Sequence, residues 1–285
     1  MIEQQSFSSD NAKLYLVPTP IGNISDISPR AIEILGDVDL IAAEDTRHSG
    51  LLLSRLGIKT QLTSLHEHNY ASKVPQLIED LKSGLSVAQI SDAGTPSISD
   101  PGHELVVAAI ENDIDVVSIP GPMAGITALI ASGLTVQPFS FIGFLSRKKN
   151  EQLRQFETFQ LLPQTYIFYE SPQRIIDTLK NVKEFFGNKI RVVAARELTK
   201  KFESYVRGSV TELLDFFLEY EPRGEFVLMI EVPKKEVEII DDVRAIELVS
   251  DLVEDGLKAT QAIKKVSKEF NLDRNRLYDL YNKNN

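Results

Sequence analysis

A loop rich in glycine and proline, residues 91–102 with the sequence SDAGTPSISDPG, constrains the fold of this chain more than any other stretch. It follows an apolar run at 85–90 that predicts a buried strand, and it precedes a run at 103–112 whose apolar spacing predicts a helix. Such strand-to-helix loops form the ligand-binding edge of open α/β sheets. Gly94 and Gly102 allow close approach of a ligand, and Asp100 is a candidate cap for a helix beginning at Pro101. The alternative is a tight connector made of turn-forming residues.

Two further loops of this kind follow predicted strands. The sequence VPTPIGN at 17–23 follows a strand at 13–17, and IPGPMAG at 119–125 follows a strand at 115–119. Because the carboxyl ends of parallel strands meet at one edge of a sheet, we expect the three loops to line one edge. None has the spacing of a phosphate-binding loop or of a dinucleotide-binding Gly-x-Gly-x-x-Gly. The ligand is therefore not expected to be held by the usual phosphate cradles.

Composition sets limits on the class of protein. A chain of 285 residues is long enough for two domains with sizeable cores. The absence of cysteine excludes disulfides and thiolate zinc sites, and it is consistent with a cytoplasmic protein. No apolar run reaches membrane-span length, and the polar N-terminus, expected to be disordered or extended over 1–12, lacks the layout of a signal peptide. With a net charge of −10, any contact with nucleic acid must come from local basic patches.

The first half alternates strands and helices, which predicts an α/β domain with a mainly parallel sheet over residues 13–145. Further strands are predicted at 40–43 and 62–65, and Ser28 followed by Pro29 predicts a helix start. A strand at 139–144 is expected to close this half. The basic linker at 146–150 then marks the domain boundary.

The second half, residues 146–232, is predicted to be an α/β domain with antiparallel pairings among strands at 165–169, 190–195, 202–207 and 225–231. Residues 233–285 form a C-terminal helical region. Helices at 260–270, with Thr260 as N-cap, and at 274–281, joined by a turn at 271–273, give a helix-turn-helix-like layout with net positive charge. This favours nucleic-acid contact, and the alternative is a helical appendage that packs on the main body or on a second subunit.

Two polar clusters follow predicted strands. The sequence EDTRH at 44–48 is either a candidate site or a solvated helix start. In HEHN at 66–69, His66 and His68 invite a metal interpretation, but the sequence offers no obvious third ligand nearby, so surface or substrate-facing residues are the alternative.

Six motifs, in order, resemble a known family. They are VPTPIGN at 17–23, AEDTR at 43–47, SDAGTPSISDPG at 91–102, PGP at 120–122, YESPQR at 169–174 and RELTK at 196–200. Together they strongly resemble the ribosomal RNA small subunit methyltransferase I family, in the tetrapyrrole-methylase-like class of S-adenosylmethionine-dependent methyltransferases. The resemblance runs from about residue 13 to the end of the chain.

The resemblance implies a two-domain tetrapyrrole-methylase-like (class III) α/β fold with S-adenosyl-L-methionine in the cleft between the domains. It implies 2′-O-methylation of a cytidine ribose in the decoding region of small-subunit (16S) ribosomal RNA, and a homodimer. The cofactor contacts expected by this route are Pro18, Asp92, Ala93, Gly94, Thr95, Ile98, Ser118, Pro120, Gly121, Pro122, Tyr169 and Gly224.

The residues themselves suggest roles around the acceptor. A positioned base would help a ribose hydroxyl attack a methyl donor, and carboxylates and a histidine after predicted strands are candidates: Asp45, Glu44, His66, Glu67 and Glu170. We favour Asp45 and Arg47 in the acceptor pocket, with Glu67 as a further catalytic candidate. For Asp45 and Arg47 the alternative is an ion pair that only holds the loop.

Local basic groups are the candidates for contact with RNA, namely Arg147, Lys148, Lys149, Lys264, Lys265 and Lys268. No metal site is expected. Two rival functions remain at this point: methylation of a tetrapyrrole or another small molecule, or of a modified protein side chain, by the same fold, and a nucleic-acid-binding or regulatory module that binds the cofactor only as a signal.

Overall fold

The computed structural model describes residues 3–6, 11–100, 102–234, 240–270 and 272–284. The chain divides into two compact units, Met1–Pro233 and Lys234–Asn285. Among the described residues, no helix has both the length and the apolar character that a membrane crossing requires. The expectation for residues 1–12 falls partly outside the described residues.

The first sheet of the larger unit contains five parallel strands in the order β3-β2-β4-β1-β5. The strands are β1 (Lys13–Leu16), β2 (Leu40–Ala43), β3 (Gln61–Ser64), β4 (Val87–Ile90) and β5 (Asp115–Ser118). All five coincide with predicted strands to within about two residues, and the prediction of a parallel sheet is confirmed. Because every strand is parallel, the five following loops emerge at the same edge.

Helices cover both faces of this sheet. They are α1 (Pro29–Asp37), α2 (Thr46–Leu56), α3 (Tyr70–Lys82) and α4 (His103–Glu111). The first two pack on one face through Leu35 and Leu53, and the last two pack on the other face through Leu77 and Leu105. Helix α1 begins as predicted, because the Ser28 hydroxyl accepts a hydrogen bond of 3.1 Å from the Ala31 amide ahead of Pro29.

The second sheet has the order β6-β7-β10-β8-β9. Its strands are β6 (Phe139–Phe144), β7 (Thr165–Glu170), β8 (Arg191–Arg196), β9 (Ser204–Ser209) and β10 (Phe226–Glu231). All neighbours are antiparallel except β6 and β7, which are parallel. The prediction that the strand at 139–144 closes the first half was wrong, because β6 pairs with β7 and leaves the first sheet with five strands.

Helix α5 (Ala124–Ile130) follows the first sheet but packs on the second. Its Ala128 and Leu129 contact a face formed by Ile167, Val193 and Met229. The opposite face is covered by α6 (Lys149–Gln160), α7 (Ile175–Phe186) and α8 (Val210–Glu219), around a core that includes Phe156 and Phe168. One face of the second sheet is therefore covered by α5, which follows the first sheet in the chain, and the other face by α6, α7 and α8.

The helix predicted at 103–112 is present as α4, but the predicted cap at Asp100 and the predicted extent of the linker at 146–150 were wrong. Helix α4 begins at His103 with Gly102 as its N-cap, so Asp100 does not cap it, and Pro101 lies outside the described residues. The Asp100 carboxyl instead forms a hydrogen bond with Ser91. Helix α6 begins at Lys149, which therefore belongs to the helix rather than to the predicted linker.

The smaller unit contains α9 (Asp242–Glu254), α10 (Ala259–Glu269) and α11 (Arg274–Asn284). Its core includes Val249, Ile263 and Leu277, one from each helix. The predicted pair of helices is present as α10 and α11. The N-cap of α10 is Lys258 rather than the predicted Thr260, which lies inside the helix, and Asn271 of the predicted turn lies outside the described residues.

Candidate active site

The crevice between the carboxyl ends of β1 and β4 is the switch point of the first sheet. The chain leaves β1 toward β2 on one side and leaves β4 toward β5 on the other. Right-handed crossovers then place α1 and α4 on opposite faces, so beyond their first residues the segments after β1 and β4 turn away from each other and leave a crevice. Ligands of open α/β sheets bind in such a crevice.

Hydrogen bonds join three loops around this crevice. Thr19 and Gly94 exchange backbone hydrogen bonds of 2.9 and 3.0 Å, which link the loop after β1 to the loop after β4. The Thr95 hydroxyl donates to the Pro122 carbonyl at 2.9 Å, which links the loop after β4 to the loop after β5. The three loops that the sequence singled out are thus brought together as one rigid edge.

Two glycines permit this close approach. A Cβ at Gly121 would lie 2.5 Å from the Cβ of Pro18, and one at Gly94 would lie 3.2 Å from the side chain of Ile21. Gly94 also has a positive φ of 84°. Any larger residue would push the loops apart.

A cavity of about 310 Å³ opens at this edge, between the loops of the first sheet and the second sheet. The loops of the first sheet contribute Ala93, Thr95 and Ile98, which were predicted cofactor contacts, together with Ile21, Ser99 and Asp100, and helix α5 contributes Ala124. The second sheet and its loops contribute the predicted Tyr169, together with Phe144, Glu170, Ser171, Pro172, Leu198, Glu225, Phe226 and Val227. Most of the lining is apolar, with a few polar groups, as is typical of small-molecule sites.

Within the described residues, the other predicted cofactor contacts lie behind or beside this lining. Pro18, Gly94, Gly121 and Pro122 form the hydrogen-bonded and packed loop edge behind it. Asp92 precedes Ala93, and its carboxylate accepts a hydrogen bond of 3.2 Å from the Asp45 amide. Ser118 ends β5 and Pro120 follows in an exposed position. Gly224, with a φ of 82°, packs against the Glu197 side chain beside Glu225.

Sequence reasoning missed several lining residues. Phe144, Leu198 and Phe226 belong to the second sheet or its loops, and only the pairing of β6 with β7 and the central position of β10 bring them to the cavity. Asp100 was interpreted as a helix cap. The signal that could have identified it is its position in the loop after β4.

Ring contacts and hydrogen bonds hold the wall of the cavity that the second sheet forms. The Tyr169 ring packs edge-on against Phe141 and Phe144, with centroids 5.0 and 5.6 Å away. Burial raises the pKa of the Tyr169 hydroxyl, so the phenol stays neutral. Glu170, a candidate base in the sequence, is 3% exposed and is bonded to the Thr178 hydroxyl at 2.6 Å and the Ser171 amide at 2.9 Å. These bonds give Glu170 a structural role.

Four carboxyl groups gather at the ends of β2 and β4. Burial, followed by the charges of Asp100, Asp92 and Asp45, raises the pKa of Glu44. Burial also raises the pKa of Asp100, as does the charge of Asp92, while a hydrogen bond with Ser91 opposes the shift. Of these four groups, Asp100 is the one that lines the cavity.

Asp45 and Arg47 form the ion pair that the sequence left as an alternative. The Arg47 guanidinium bonds both carboxylate oxygens of Asp45, at 3.3 and 3.1 Å, and the Arg47 amide donates to the same carboxylate at 2.8 Å, which caps α2. These bonds lower the pKa of Asp45 to about 2, chiefly through the Arg47 side chain. The Arg47 side chain is 91% exposed, so its remaining donors face solvent.

Glu67 is exposed after β3, next to the loop that carries Asp45. The His66 and His68 rings lie 6.1 Å apart, edge to face. Among the described residues, no group of three or more His, Asp or Glu side chains is arranged to hold a metal ion.

The predicted RNA contacts occupy two places. Arg147, Lys148 and Lys149 are exposed at the start of α6, where Lys148 pairs with Glu151 at 3.1 Å and Lys149 with Glu184 at 2.7 Å. In the smaller unit, Lys264, Lys265 and Lys268 are exposed on α10, on the side opposite its buried residues Ala262, Ile263 and Val266.

Comparisons with known proteins agree with this geometry. The family model described as Tetrapyrrole (Corrin/Porphyrin) Methylases matches residues 13–214. The chain is 50% identical over 282 residues, 98% of each chain, to ribosomal RNA small subunit methyltransferase I of Streptococcus pyogenes serotype M18. It is 43% identical to the protein of that name from Bacillus subtilis, over 98% of this chain and 97% of the other.

A solved structure supports the fold. Uroporphyrin-III-C-methyltransferase from Thermus thermophilus superposes with a TM-score of 0.55 at 19% identity, over 78% of this chain and 95% of the other. At that identity the likeness establishes the fold alone. The family match over most of the chain and the near-full-length identity go further, and the chain therefore belongs to the tetrapyrrole methylases and, within them, to the ribosomal RNA small subunit methyltransferase I family.

Proposed function

We propose that the protein transfers a methyl group from S-adenosyl-L-methionine to the 2′-hydroxyl of a cytidine ribose in the decoding region of small-subunit ribosomal RNA. The observation that carries the proposal is the near-full-length identity of 50% to a protein named for methylation of this RNA. The cavity at the switch point supports it, because it lies where this fold would hold a small-molecule donor.

The lining suits S-adenosylmethionine in three respects. Ile21, Ile98 and Val227 provide apolar surface for the adenine. The carboxylates near Asp100 complement the positive charges of the sulfonium and the ammonium groups. Gly94 and Gly121 let the three loops pack closely together behind the lining, where a Cβ would meet Ile21 or Pro18.

We therefore assign cofactor binding to Ala93, Thr95, Ile98 and Tyr169 in the lining, and to Pro18, Asp92, Gly94, Ser118, Pro120, Gly121, Pro122 and Gly224 as the loops behind it. When bound, the cofactor supplies an activated methyl group on a sulfonium. The task of the protein is to hold donor and acceptor in line, and rigid loops suit that task.

Asp100 is the best candidate for the proton acceptor. It lines the cavity, and burial raises its pKa, which makes the carboxylate a stronger base than an exposed aspartate. Asp45, with a pKa of about 2 and both oxygens bonded to Arg47, is too weak a base for this role. In this proposal Asp45 orients Arg47, and the exposed guanidinium binds an RNA phosphate beside the cavity, with Glu67 at the neighbouring strand end.

The same reasoning assigns the exposed lysines and arginine at 147–149 and on α10 to contact with the RNA. We further propose a homodimer. Large exposed apolar side chains support it, among them Ile130, Leu161 and Leu162, at 74%, 78% and 61% exposure. Light scattering of the purified protein tests the dimer. A ribosomal substrate would place the protein in the cytoplasm.

Incubation with radiolabelled S-adenosylmethionine and small ribosomal subunits from cells that lack the gene tests the reaction. Mass spectrometry of RNA digests should find the label on one cytidine ribose. No label on subunits or on bare RNA, with cofactor binding intact and transfer to a porphyrinoid, would instead establish a small-molecule methylase. Cofactor binding with no acceptor at all would indicate a regulatory module.

A further inference from the structure

A second recess, of about 410 Å³, lies beside the cavity on the outer side of the second sheet. Edge strand β9 and the end of α8 form it, and its main side chains are Arg196, Tyr205, Arg207, Phe216, Tyr220 and Arg223. We call it the β9 recess. The function described above does not use it.

The β9 recess adjoins the cavity through Phe226, which lines both. Two chain segments also pass from one to the other. Arg196 lines the recess and Leu198 the cavity, and Arg223 lines the recess while Glu225 lines the cavity. A polymer with one unit at the cavity could therefore place a neighbouring unit in the recess.

The recess offers aromatic surface that is accessible to solvent. Phe216 and Tyr220 are 38% and 55% exposed, and their ring centroids lie 5.0 Å apart. Behind them Phe216 contacts Phe217 at 5.2 Å, and Phe217 contacts the buried Phe226 at 5.5 Å. A continuous series of rings thus runs from the surface to the wall of the cavity, and exposed rings of this kind stack well on unpaired bases.

Arg196 and Arg223 give the recess positive charge in a chain whose net charge is −10, whereas the Arg207 guanidinium lies on the face of the sheet that α5 covers. Arg207 is fixed, because it donates to the Ser132 and Ala131 carbonyls at 3.1 and 2.8 Å and its guanidinium lies 4.6 Å from the centre of the Tyr205 ring. Arg196 is fixed by a bond of 2.6 Å to the Arg223 carbonyl. Such fixed guanidinium groups are suited to phosphate and to base faces.

Arg223 is the exposed member of the set. Its side chain pairs with Glu221 at 2.7 Å, but both side chains are about three-quarters exposed. A pair in that setting is weak, so an incoming phosphate can replace the carboxylate at little cost. Burial, followed by the charge of Glu203, raises the pKa of Tyr205, and the charge of Arg207 opposes this shift.

We propose that the β9 recess binds an unpaired nucleotide of the RNA substrate, next to the nucleotide whose ribose enters the cavity. The proposal rests on the proposed function for the identity of the polymer. The base stacks on Phe216 and Tyr220, and Arg223 with Arg196 binds the phosphate. The recess would thereby select single-stranded RNA over a paired helix.

Tyr220→Ala and Arg223→Ala test the proposal, because both side chains are exposed and their loss should leave the fold intact. Leu218→Ala is the matched control for Tyr220→Ala. Leu218 is on α8 and is 61% exposed, and it is not one of the described residues that line the recess. Arg154→Ala, an exposed arginine on α6, is the control for the second. The probes are a fluorescein-labelled single-stranded oligoribonucleotide and unmethylated small ribosomal subunits.

Each test variant should raise the Kd for the oligoribonucleotide about tenfold, the loss expected for one base stack or one phosphate contact. It should raise KM for the subunits more than it lowers kcat, with cofactor Kd and melting temperature unchanged. A 4-thiouridine in the oligoribonucleotide should crosslink within residues 216–223 of the wild type.

Equal binding by test and control variants overturns the proposal, as does failure of the wild type to bind the oligoribonucleotide. A variant that changes the oligomeric state in light scattering, with RNA affinity preserved, would make the recess a contact between copies and would also overturn it. The two proposals fail separately. If the variants lost oligoribonucleotide binding and the wild type methylated no RNA, the proposal for the recess would stand and the proposed methylation reaction would be rejected.

Discussion

Asp100 and Asp45 belong to one cluster of carboxyl groups, yet their pKa values shift in opposite directions. Burial raises the pKa of Asp100, whereas hydrogen bonds from Arg47 lower the pKa of Asp45 to about 2. The difference separates their chemistry, because a carboxylate with a raised pKa accepts a proton more readily and one with a lowered pKa remains an anion. Their spacing in the sequence carries no sign of this difference.

Asp100→Asn should lower kcat about a hundredfold, which is the smaller end of the range for loss of a general base. In the wild type, activity should fall as the pH drops through the pKa of Asp100, which lies above the ordinary 3.8, because only the ionised carboxylate accepts a proton. The variant should lack this acidic limb in its pH–rate profile. Asp37→Asn, an exposed aspartate at the end of α1, is the control. An unchanged kcat in Asp100→Asn would exclude the role.

Gly121→Ala should weaken cofactor binding about tenfold, because the new methyl would overlap Pro18 and overpacking of this kind costs about 1–3 kcal/mol. Isothermal titration calorimetry measures the Kd. Gly36→Ala is the control, since a Cβ there meets nothing within 4 Å inside α1 and should leave binding unchanged. Equal cofactor affinities for the two variants would mean that the loops shift to accommodate the methyl group. The close packing of Gly121 on Pro18 would then not determine the geometry of the site.

At the scale of single elements, the start of α8 is fixed by two residues whose spacing in the sequence, Ser209 and Glu212, is that of a capping box. The Ser209 hydroxyl accepts from the Glu212 amide at 3.3 Å, and the Glu212 carboxylate accepts from the Ser209 amide at 2.8 Å, which forms a capping box. This box fixes the start of the helix that carries Phe216 and Tyr220 into the β9 recess.

Ser209→Ala should lower the free energy of unfolding by about 1 kcal/mol, the usual loss for an N-cap, as measured by urea denaturation. Ser72→Ala, at an exposed position inside α3, should have a much smaller effect. If the two variants had the same free energy of unfolding, the capping box would not contribute to the stability of the protein.

The same box predicts a dependence of stability on pH. Hydrogen bonds from the Ser209 amide and hydroxyl lower the pKa of Glu212 below 4.5. A lowered pKa in the folded state means that the contribution is complete above pH 4.5 and is lost as the pH falls through the folded value. Glu212→Gln should therefore reduce the acid sensitivity of unfolding in that range, and an unaltered pH dependence would contradict this.

The strands and loops also show which parts of the fold and of the cavity could be predicted from the sequence. The positions of every strand of the first sheet and of the loops at its carboxyl edge were predictable. In a parallel α/β sheet, buried strands are apolar runs that alternate with helices and with loops rich in turn residues. The partner of β6 was not predictable, since nothing in Phe139–Phe144 distinguishes pairing with β7 from pairing within the first sheet. The second wall of the cavity depends on that pairing, so Phe144, Leu198 and Phe226 could not be assigned from local pattern.

At the scale of the whole molecule, an acidic protein must meet an anionic substrate through local patches. The described residues carry several such patches: the start of α6, the β9 recess and the exposed side of α10. Their affinities for RNA should depend on salt, because each phosphate contact releases bound counterions.

The triple variant Lys264→Ala, Lys265→Ala and Lys268→Ala should weaken RNA binding and make the slope of log affinity against log salt concentration shallower by about 2 units. The three side chains are exposed, so folding should be unaffected. Alanine at Lys59, Lys82 and Lys180, three exposed lysines elsewhere, is the control. A salt slope equal to that of the wild type would remove the α10 lysines from the RNA interface.

Five described residues other than glycine have a positive φ, and four of them are Ser97, Ser99, Glu197 and Thr199, in the two loops that meet at the cavity. Each such residue carries a conformational strain of about 1 kcal/mol, which only the surrounding fold sustains. Conversion of Ser97 and Ser99 to glycine would remove that strain but would also raise the entropy of the unfolded chain, and at Ser97 it would remove the hydrogen bond of 3.1 Å that the Gln89 side-chain amide donates to the hydroxyl. Selection for greater thermal tolerance in this protein would therefore have to act elsewhere in the chain, because glycine at these two strained positions of the cavity rim loses about as much stability as it gains.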